Sequence, residues 1–225
     1  MILRPKSESS DDANLGERRP RIGVLALQGD FAAHIRALER AGAAAREVRV
    51  PRDLTGLDGC VLPGGESTAW LRLMKPERMD DALRDFHDRG GFLFGTCAGL
   101  IVLSRRVTAP EQECLGLIDL TIERNAYGRQ VDSFVGRGVL QFPGSDPTTE
   151  EMVCIRAPRI RAVGPAVEVL GNLDGEAMLV REDRILGATF HPEMSVPNLV
   201  HPHFVAMISE SRKTGMSVPS GEPGP

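Results

Sequence analysis

The first half of the chain alternates continuous apolar runs with amphipathic segments. An unbroken apolar run is typical of a strand covered on both faces, and apolar residues spaced three or four apart are typical of a helix. The predicted strands are IGVLALQ (22–28), REVRV (46–50), GCVL (59–62) and GFLF (91–94). The predicted helices are the segment from the potential cap Asp30 to Gly42, with Phe31, Ile35 and Leu38 on one face, then STAWLRLM (67–74) and MDDALRDFHDR (79–89). This alternation predicts an α/β fold with a mostly parallel sheet and helices on both faces.

The second half of the chain is richer in strands. The predicted strands there are LIDLTIE (117–123), MVCIR (152–156), VEVL (167–170), AMLVR (177–181) and RILGATF (184–190). A last amphipathic segment, NLVHPHFVAMISES (198–211), predicts a closing helix. We expect the later strands to be added to the sheet as antiparallel neighbours.

Composition adds domain limits and excludes several classes of function. Residues 1–20 and 214–225 are polar or rich in Pro, Gly and Ser, so we predict disordered tails around one domain at 21–213. A net charge of -4 argues against a nucleic-acid partner. The chain has neither an apolar run of the roughly 20 residues that span a bilayer nor a signal-peptide core. We therefore expect a cytoplasmic protein that does not contact membranes.

Residues 95–99, GTCAG, place one thiol between two glycines directly after a predicted strand. A G-x-nucleophile-x-G turn from strand to helix, called a nucleophile elbow, exposes its central side chain at the sheet edge. Cys97 would then lie at a helix N-terminus, which favours a thiolate, and the N–H of Ala98 would face a developing oxyanion. The other cysteines, Cys60, Cys114 and Cys154, are expected to be small buried hydrophobes.

A base for that thiol is available in the sequence ATFHPE. His191 follows an apolar strand, and in extended geometry Glu193, two residues later, projects to the same side and can orient the imidazole. His34 and His87 are expected to be solvated on their helices. His201 and His203 have the spacing of metal ligands, but no cysteine or carboxylate pair accompanies them, so we predict no metal site.

The sequence PGGEST (63–68) lies between a predicted strand and a predicted helix. Its paired glycines let the backbone approach a ligand, so the N–H of Gly65 is a candidate second oxyanion donor. Glu66 and Ser67, at the helix start, could meet a polar substrate. Taken singly, the three motifs also have plain structural explanations as a tight turn, a strand end and a capped helix.

Together and in this order, GGEST, GTCAG and HPE resemble the class I glutamine amidotransferase family. Further stretches resemble, within it, the glutaminase subunits of pyridoxal 5'-phosphate synthase. These stretches are LALQGDFAAHI, LIDLTIERNAYGRQVDSF (117–134) and IRAP (155–158), of which ERNAYGRQVDSF is the most specific. The resemblance covers nearly all of residues 22–210 and implies a flavodoxin-like α/β fold.

The resemblance also implies a reaction, a site and a partner. Glutamine would be hydrolysed to glutamate and ammonia through a thioester on Cys97, with His191 relaying protons and Glu193 orienting it. Implied glutamine contacts are Gly65, Glu66, Ser67, Arg124, Ile155 and Arg156, and no cofactor is implied. The implied partner is a (β/α)₈-barrel synthase subunit, assembled as twelve plus twelve, that uses the ammonia. Gln28 is a candidate relay between the PGGES loop and that partner.

Two other functions stay open at the level of sequence. A cysteine hydrolase of similar architecture could act on peptides or other amides, although GGEST, Arg124 and ERNAYGRQVDSF speak against it. A non-catalytic module could regulate a partner, although such a chain would tolerate loss of Cys97, His191 or Glu193. Comparing glutamine with a panel of dipeptides would separate the first of these functions from a glutaminase.

Overall fold

In the computed structural model, which describes residues 18–124 and 133–214, the chain forms a large and a small β-sheet flanked by helices. The strands are β1 (Arg21–Leu25), β2 (Ala44–Val48), β3 (Gly59–Leu62), β4 (Phe92–Thr96), β5 (Ser104–Thr108), β6 (Ile118–Glu123), β7 (Ser133–Leu140), β8 (Thr148–Ile155), β9 (Arg159–Val163), β10 (Glu168–Leu173), β11 (Glu176–Glu182) and β12 (Ile185–Ala188). The helices are α1 (Phe31–Arg40), α2 (Ser67–Met74), α3 (Met79–Asp88), α4 (Ala98–Leu103) and α5 (Val200–Lys213).

The large sheet combines a parallel half and an antiparallel half. Its strand order is β2-β1-β3-β4-β12-β11-β10-β7-β8. The pairs from β2 to β12 are parallel, and those from β12 to β8 are antiparallel. The prediction of a parallel sheet with added antiparallel strands is confirmed for this sheet.

Side chains alternate between the two faces of the parallel strands and fill two cores. On β3, Cys60 and Leu62 pack into one core and Val61 into the other. The first core holds apolar residues of α2, α3 and α4, and the second holds those of α1 and α5. Both faces are therefore covered by helices, which explains why these strands read as unbroken apolar runs.

Three predictions about strands need correction. The segment predicted as LIDLTIE forms β6, which lies in a separate sheet of order β5-β6-β9. The predicted strand RILGATF forms β12, which pairs with β4 in parallel. The second strand is β2 at Ala44–Val48, two residues before its predicted start and end.

The described residues include only part of the predicted domain boundaries. Most of the predicted tails, and residues 125–132 in the ERNAYGRQVDSF stretch, lie outside the described residues. Of the predicted N-terminal extension, Arg18 is described and pairs with Asp58 at 3.3 Å. No helix in the described ranges is long and apolar enough to cross a membrane.

The carboxyl ends of the parallel strands meet at one edge of the large sheet. The segments that carry Gln28, the PGGES loop, Cys97 and His191 follow β1, β3, β4 and β12 respectively. In the register, Ala188 of β12 is opposite Thr96 of β4, so the chain segments that lead to His191 and Cys97 leave the sheet side by side. This edge is where open α/β sheets bind their ligands.

Candidate active site

A cavity of about 340 Å³ opens at this sheet edge. It is lined by nine of the ten predicted site residues: Gly65, Glu66, Ser67, Cys97, Arg124, Ile155, Arg156, His191 and Glu193. The tenth, Ala98, is buried directly behind Cys97, and its N–H belongs to the first turn of α4, which leaves such groups unpaired within the helix. Residues that are up to 128 positions apart in the chain (65 and 193) therefore meet around one space.

Cys97 has the strained backbone of a nucleophile elbow. Its φ is 47° and its ψ is -106°, a backbone conformation that residues other than glycine rarely adopt and that costs on the order of 1–3 kcal/mol. A Cβ on Gly95 would lie 2.7 Å from the backbone N of Leu100, and a Cβ on Gly99 would lie 2.0 Å from the carbonyl oxygen of Leu62. Both glycines are thus required by close backbone contacts, and the turn presents the Cys97 sulfur to the cavity.

His191 lies between Cys97 and Glu193. Its Nδ1 is 2.7 Å from Oε1 of Glu193, and its ring lies close enough to the Cys97 side chain for the two to interact. The predicted pairing of His191 with Glu193 is present, but the predicted extended geometry is wrong. Pro192–Met194 forms a 3₁₀ turn, which folds the carboxylate back onto the ring.

Burial and charge act in opposite directions on this pair. Burial alone would lower the pKa of His191, but its hydrogen bonds to Cys97 and Glu193 outweigh burial and raise that pKa to about 10. Burial alone would raise the pKa of Glu193, but the neighbouring His34 and His191 hold it far below its ordinary value. An ionised carboxylate thus stabilises the protonated imidazole, which favours transfer of the Cys97 proton to His191.

The PGGES loop covers the imidazole from the other side. A Cβ on Gly64 would lie 2.4 Å from Cε1 of His191, so the ring packs directly on the loop backbone. Gly65, next in the chain, has a φ of +141° and lines the cavity. The Gln28 side chain holds the loop in place: its Nε2 donates to the Glu66 carbonyl at 2.7 Å, and its Oε1 accepts from the Glu66 N–H at 3.3 Å.

Gly64→Ala tests this packing. Because Gly64 does not require a positive φ, the methyl group conflicts chiefly with the His191 ring. We expect the glutamine hydrolysis that the family resemblance implies to fall by roughly tenfold to a hundredfold, with the free energy of unfolding reduced by no more than about 1–2 kcal/mol. Steady-state kinetics and a urea melt on the same preparation measure both, and unchanged kcat would show that the ring does not rest on the loop.

Arg124 lines the cavity beside the PGGES loop, and its guanidinium is held by two side chains. It donates to Oε1 of Glu66 at 3.2 Å and to Oε1 of Gln112. Ser67 Oγ donates to the same Gln112 oxygen at 2.9 Å. Glu66 also caps α2 by accepting from the N–H groups of Thr68 and Ala69.

Gln112 is a site residue that sequence analysis missed. It joins Ser67 and Arg124, while its own Nε2 is buried and has no hydrogen-bond partner among the described residues. It lies in a turn between β5 and β6, where no periodic pattern marks it. No signal in a single sequence distinguishes it from other loop glutamines.

Ile155 and Arg156 complete the cavity at the end of β8. The Cys97 thiol is 3.9 Å from the carbonyl oxygen of Ile155, at the limit of a weak sulfur hydrogen bond. Arg156 has a φ of 44°, a left-handed conformation that turns the chain as it leaves the strand. The backbone at this point therefore faces the nucleophile.

Some predictions about other histidines and cysteines need correction. His34 is fully buried rather than solvated, and His87 is half-buried with Nδ1 3.3 Å from the Gly91 carbonyl. Cys60 and Cys154 are buried as predicted, and burial raises the pKa of each thiol to about 12. Cys114 is only partly buried. Within the two described ranges, no group of three His, Cys, Asp or Glu side chains could hold a metal ion.

Comparison with known proteins shows the family of the chain. Residues 24–210 match the SNO glutamine amidotransferase family, and the chain belongs to that family. It is similar to the pyridoxal 5'-phosphate synthase subunit PdxT of Deinococcus radiodurans, with 47% identity over 84% of this chain and 97% of the relative. The subunit PdxT of Koribacter versatilis is 45% identical over 84% of this chain and 95% of the relative.

Solved structures support the fold. A crystal structure of a glutamine amidotransferase shares 41% identity and a TM-score of 0.77, over 83% of this chain and 98% of that chain. The structure of PurLQS from Thermotoga maritima, at 17% identity, has a TM-score of 0.63 and shares the fold alone. The predicted α/β fold of class I glutamine amidotransferases is thereby confirmed.

Proposed function

We propose that the chain is a glutaminase that hydrolyses L-glutamine to L-glutamate and ammonia for pyridoxal 5'-phosphate synthesis. The observation that carries this proposal is the line of Cys97, His191 and Glu193 along one cavity in a member of the SNO glutamine amidotransferase family. Its similarity to PdxT subunits of pyridoxal 5'-phosphate synthase supplies the pathway.

The reaction follows from the positions of the three side chains. Once the Cys97 proton has passed to His191, the sulfur attacks the carboxamide carbon of glutamine. His191 then gives that proton to the nitrogen, the carbon–nitrogen bond breaks, and ammonia leaves a γ-glutamyl thioester. Water, activated by His191, hydrolyses the thioester to glutamate and the free thiol. Glu193 holds the ring throughout, and the N–H groups of Gly65 and Ala98 are the proposed donors to the carbonyl oxygen as it becomes negative.

Recognition of glutamine is assigned to the remaining lining residues. Arg124, only 14% exposed, suits the substrate's α-carboxylate, because a guanidinium forms paired hydrogen bonds with a carboxylate. The Glu66 carboxylate, which accepts a hydrogen bond from Arg124 at 3.2 Å, partly neutralises the guanidinium. Ser67 and the backbone at Ile155 and Arg156 are placed to contact the rest of the amino acid.

Use of the ammonia in pyridoxal 5'-phosphate synthesis requires a second protein. Relatives are subunits of pyridoxal 5'-phosphate synthase, so we infer that this chain works beside a synthase subunit. The finer proposal, a (β/α)₈-barrel partner in an assembly of twelve plus twelve, rests on the family resemblance. Light scattering of the mixed subunits measures the stoichiometry, and a complex of any other ratio would overturn that detail.

Release of ammonia and glutamate from glutamine, with and without the synthase subunit, tests the function. Because Gln28 holds the PGGES loop by hydrogen bonds at the mouth of the site, we expect a partner that changes this contact to raise the rate clearly. A flat response would contradict the activation by the partner. Absence of glutamine turnover in both mixtures would contradict the proposed function itself.

A further inference from the structure

His34 is a buried polar residue that the proposed reaction does not use. It lies on the covered face of α1, among Ala33, Ala37 and Leu38, and its side chain is 0% exposed. A histidine enclosed to this degree needs partners for both ring nitrogens. The structure provides them on two sides.

Nδ1 of His34 is 2.9 Å from Nε2 of His201, on α5. Nε2 of His34 is 3.4 Å from Oε2 of Glu193 and 3.3 Å from the hydroxyl of Thr96, the residue before Cys97. Oε2 of Glu193 has no partner within regular hydrogen-bond geometry among the described residues, and it is the oxygen that does not face His191. His34 is thus the donor within reach of an otherwise unpaired, buried carboxylate oxygen.

The groups behind His34 determine which of its nitrogens carries the proton. His201 is buried and its pKa is lowered to about 3, first by burial and then by His34, so its ring is neutral near pH 7. Nδ2 of Asn198 is 2.7 Å from Nδ1 of His201, and Oδ1 of Asn198, which accepts the His201 backbone N–H at 3.1 Å, is 3.0 Å from the same Nδ1. If the amide nitrogen donates to Nδ1, Nε2–H of His201 donates to Nδ1 of His34, and the His34 proton lies on Nε2, toward Glu193.

The opposite direction of proton donation, from Nδ1–H of His34 to Nε2 of His201, is unfavourable. It would place a lone pair on Nε2 of His34 against the Glu193 carboxylate in a site without water access, since both side chains are at most 2% exposed. The other ionisable groups facing these residues are His191, on the far side of Glu193, and Arg40, which adds positive charge near His201.

We propose that His34 is a positioning residue for the proposed glutaminase reaction: its Nε2–H holds Oε2 of Glu193, so that Oε1 stays aligned on Nδ1 of His191. Asn198 and His201 keep His34 in the tautomer that does this. The proposed chain of contacts therefore runs from α5 through α1 to the catalytic imidazole, and it extends the Cys97–His191–Glu193 set by one step. This inference rests on the proposed function.

Two amide substitutions test the contact. Glutamine can place its amide nitrogen near the position of Nε2 and reach Glu193, whereas asparagine reaches only the position of Nδ1, toward His201. We expect His34→Gln to keep kcat within about threefold and His34→Asn to lose about tenfold to a hundredfold in kcat, the worth of a hydrogen bond to a charged group. The KM for glutamine should stay within about twofold in both, because His34 does not line the cavity.

The pH profile separates positioning from general damage to the fold. A Glu193 that has lost a donor protonates at higher pH, so the acid limb of kcat/KM should move upward by about one pH unit in His34→Asn and stay in place in His34→Gln. His87→Asn, a half-buried histidine on α3 outside the cavity, is the matched control and should match the unmodified chain. All variants are assayed with the synthase subunit present.

The outcomes are distinct. Equal kcat and an unmoved acid limb in His34→Asn would overturn the positioning role while leaving the glutaminase intact. A loss of activity that is the same in the Gln and Asn variants, with no shift of the limb, would show that His34 only supports packing. No turnover by the unmodified chain would instead refute the proposed function.

Discussion

Replacing Cys97 with alanine is expected to abolish the release of glutamate from glutamine. The sulfur is the atom proposed to bond to the substrate, and among the described residues no other cysteine lines the cavity. Removing the nucleophile of such a set leaves only binding and oxyanion stabilisation, so the rate should fall by at least about 10³-fold. Ammonia and glutamate assays with the synthase subunit present measure this.

The variant should still fold and bind the synthase subunit, because alanine keeps Cβ and adds no atom to the turn. Cys114→Ala, which changes a partly buried cysteine outside the cavity, is the matched control and should retain the parent rate. Parent-level turnover by Cys97→Ala would mean that another group attacks the amide, and the assigned mechanism would be wrong.

Replacing Glu193 with glutamine is expected to have the second-largest effect. Oε1 of Glu193 accepts the Nδ1 proton of His191, which leaves Nε2 free to take the proton of Cys97. If His34 donates to the oxygen of the amide introduced at position 193, the nitrogen of that amide turns to His191 and donates to its Nδ1 instead. The ring then carries its proton on Nε2 and cannot accept another there. We expect kcat to fall by about 10³- to 10⁴-fold, as when the acid of a Ser-His-Asp triad becomes an amide.

Steady-state kinetics of Glu193→Gln measure this effect. Glu47→Gln, which makes the same substitution at an exposed residue of β2, is the matched control. The KM for glutamine should change little, because the substitution keeps the shape of the side chain. A variant with kcat within about threefold of the parent would show that the charge and tautomer of this pair do not matter for the reaction.

Local patterns predicted the parallel half of the fold and the site at its edge. Four segments have the same bounds or nearly the same bounds as predicted, because their signals are local: β3, α1, α2 and α3. The glycines at 95 and 99 mark a turn whose reason is steric, so the sequence alone indicates Cys97. Asp30 caps α1 through the N–H of Ala33, as the position of its carboxylate before an apolar face suggests.

The missed elements depend on contacts that are distant in sequence. Strand β5 follows α4 without a loop, so its first residues continue what reads as a helical segment. Strand β9, RIRAV, carries two arginines and follows a proline, and it pairs only with β6 in the small sheet. Strand β7 alternates glycines with exposed residues at the far side of the large sheet, where apolar periodicity is weak.

The second layer of the site could be predicted only in part. His34 occurs three and four residues before Ala37 and Leu38, so the helical period places it on the covered face of α1, a signal that was available. Its pairing with His201 joins residues 167 positions apart and cannot be deduced from either neighbourhood. The same holds for Gln112 and Arg124, whose contact depends on how the loop between β5 and β6 folds against the cavity.

Mass spectrometry of the acid-quenched enzyme during turnover tests most directly whether glutamine is cleaved through a covalent bond to Cys97. We expect a γ-glutamyl group on the peptide that contains Cys97, present with glutamine, absent with glutamate, and absent in Cys97→Ala. Steady turnover of glutamine with the modification on another residue would contradict it.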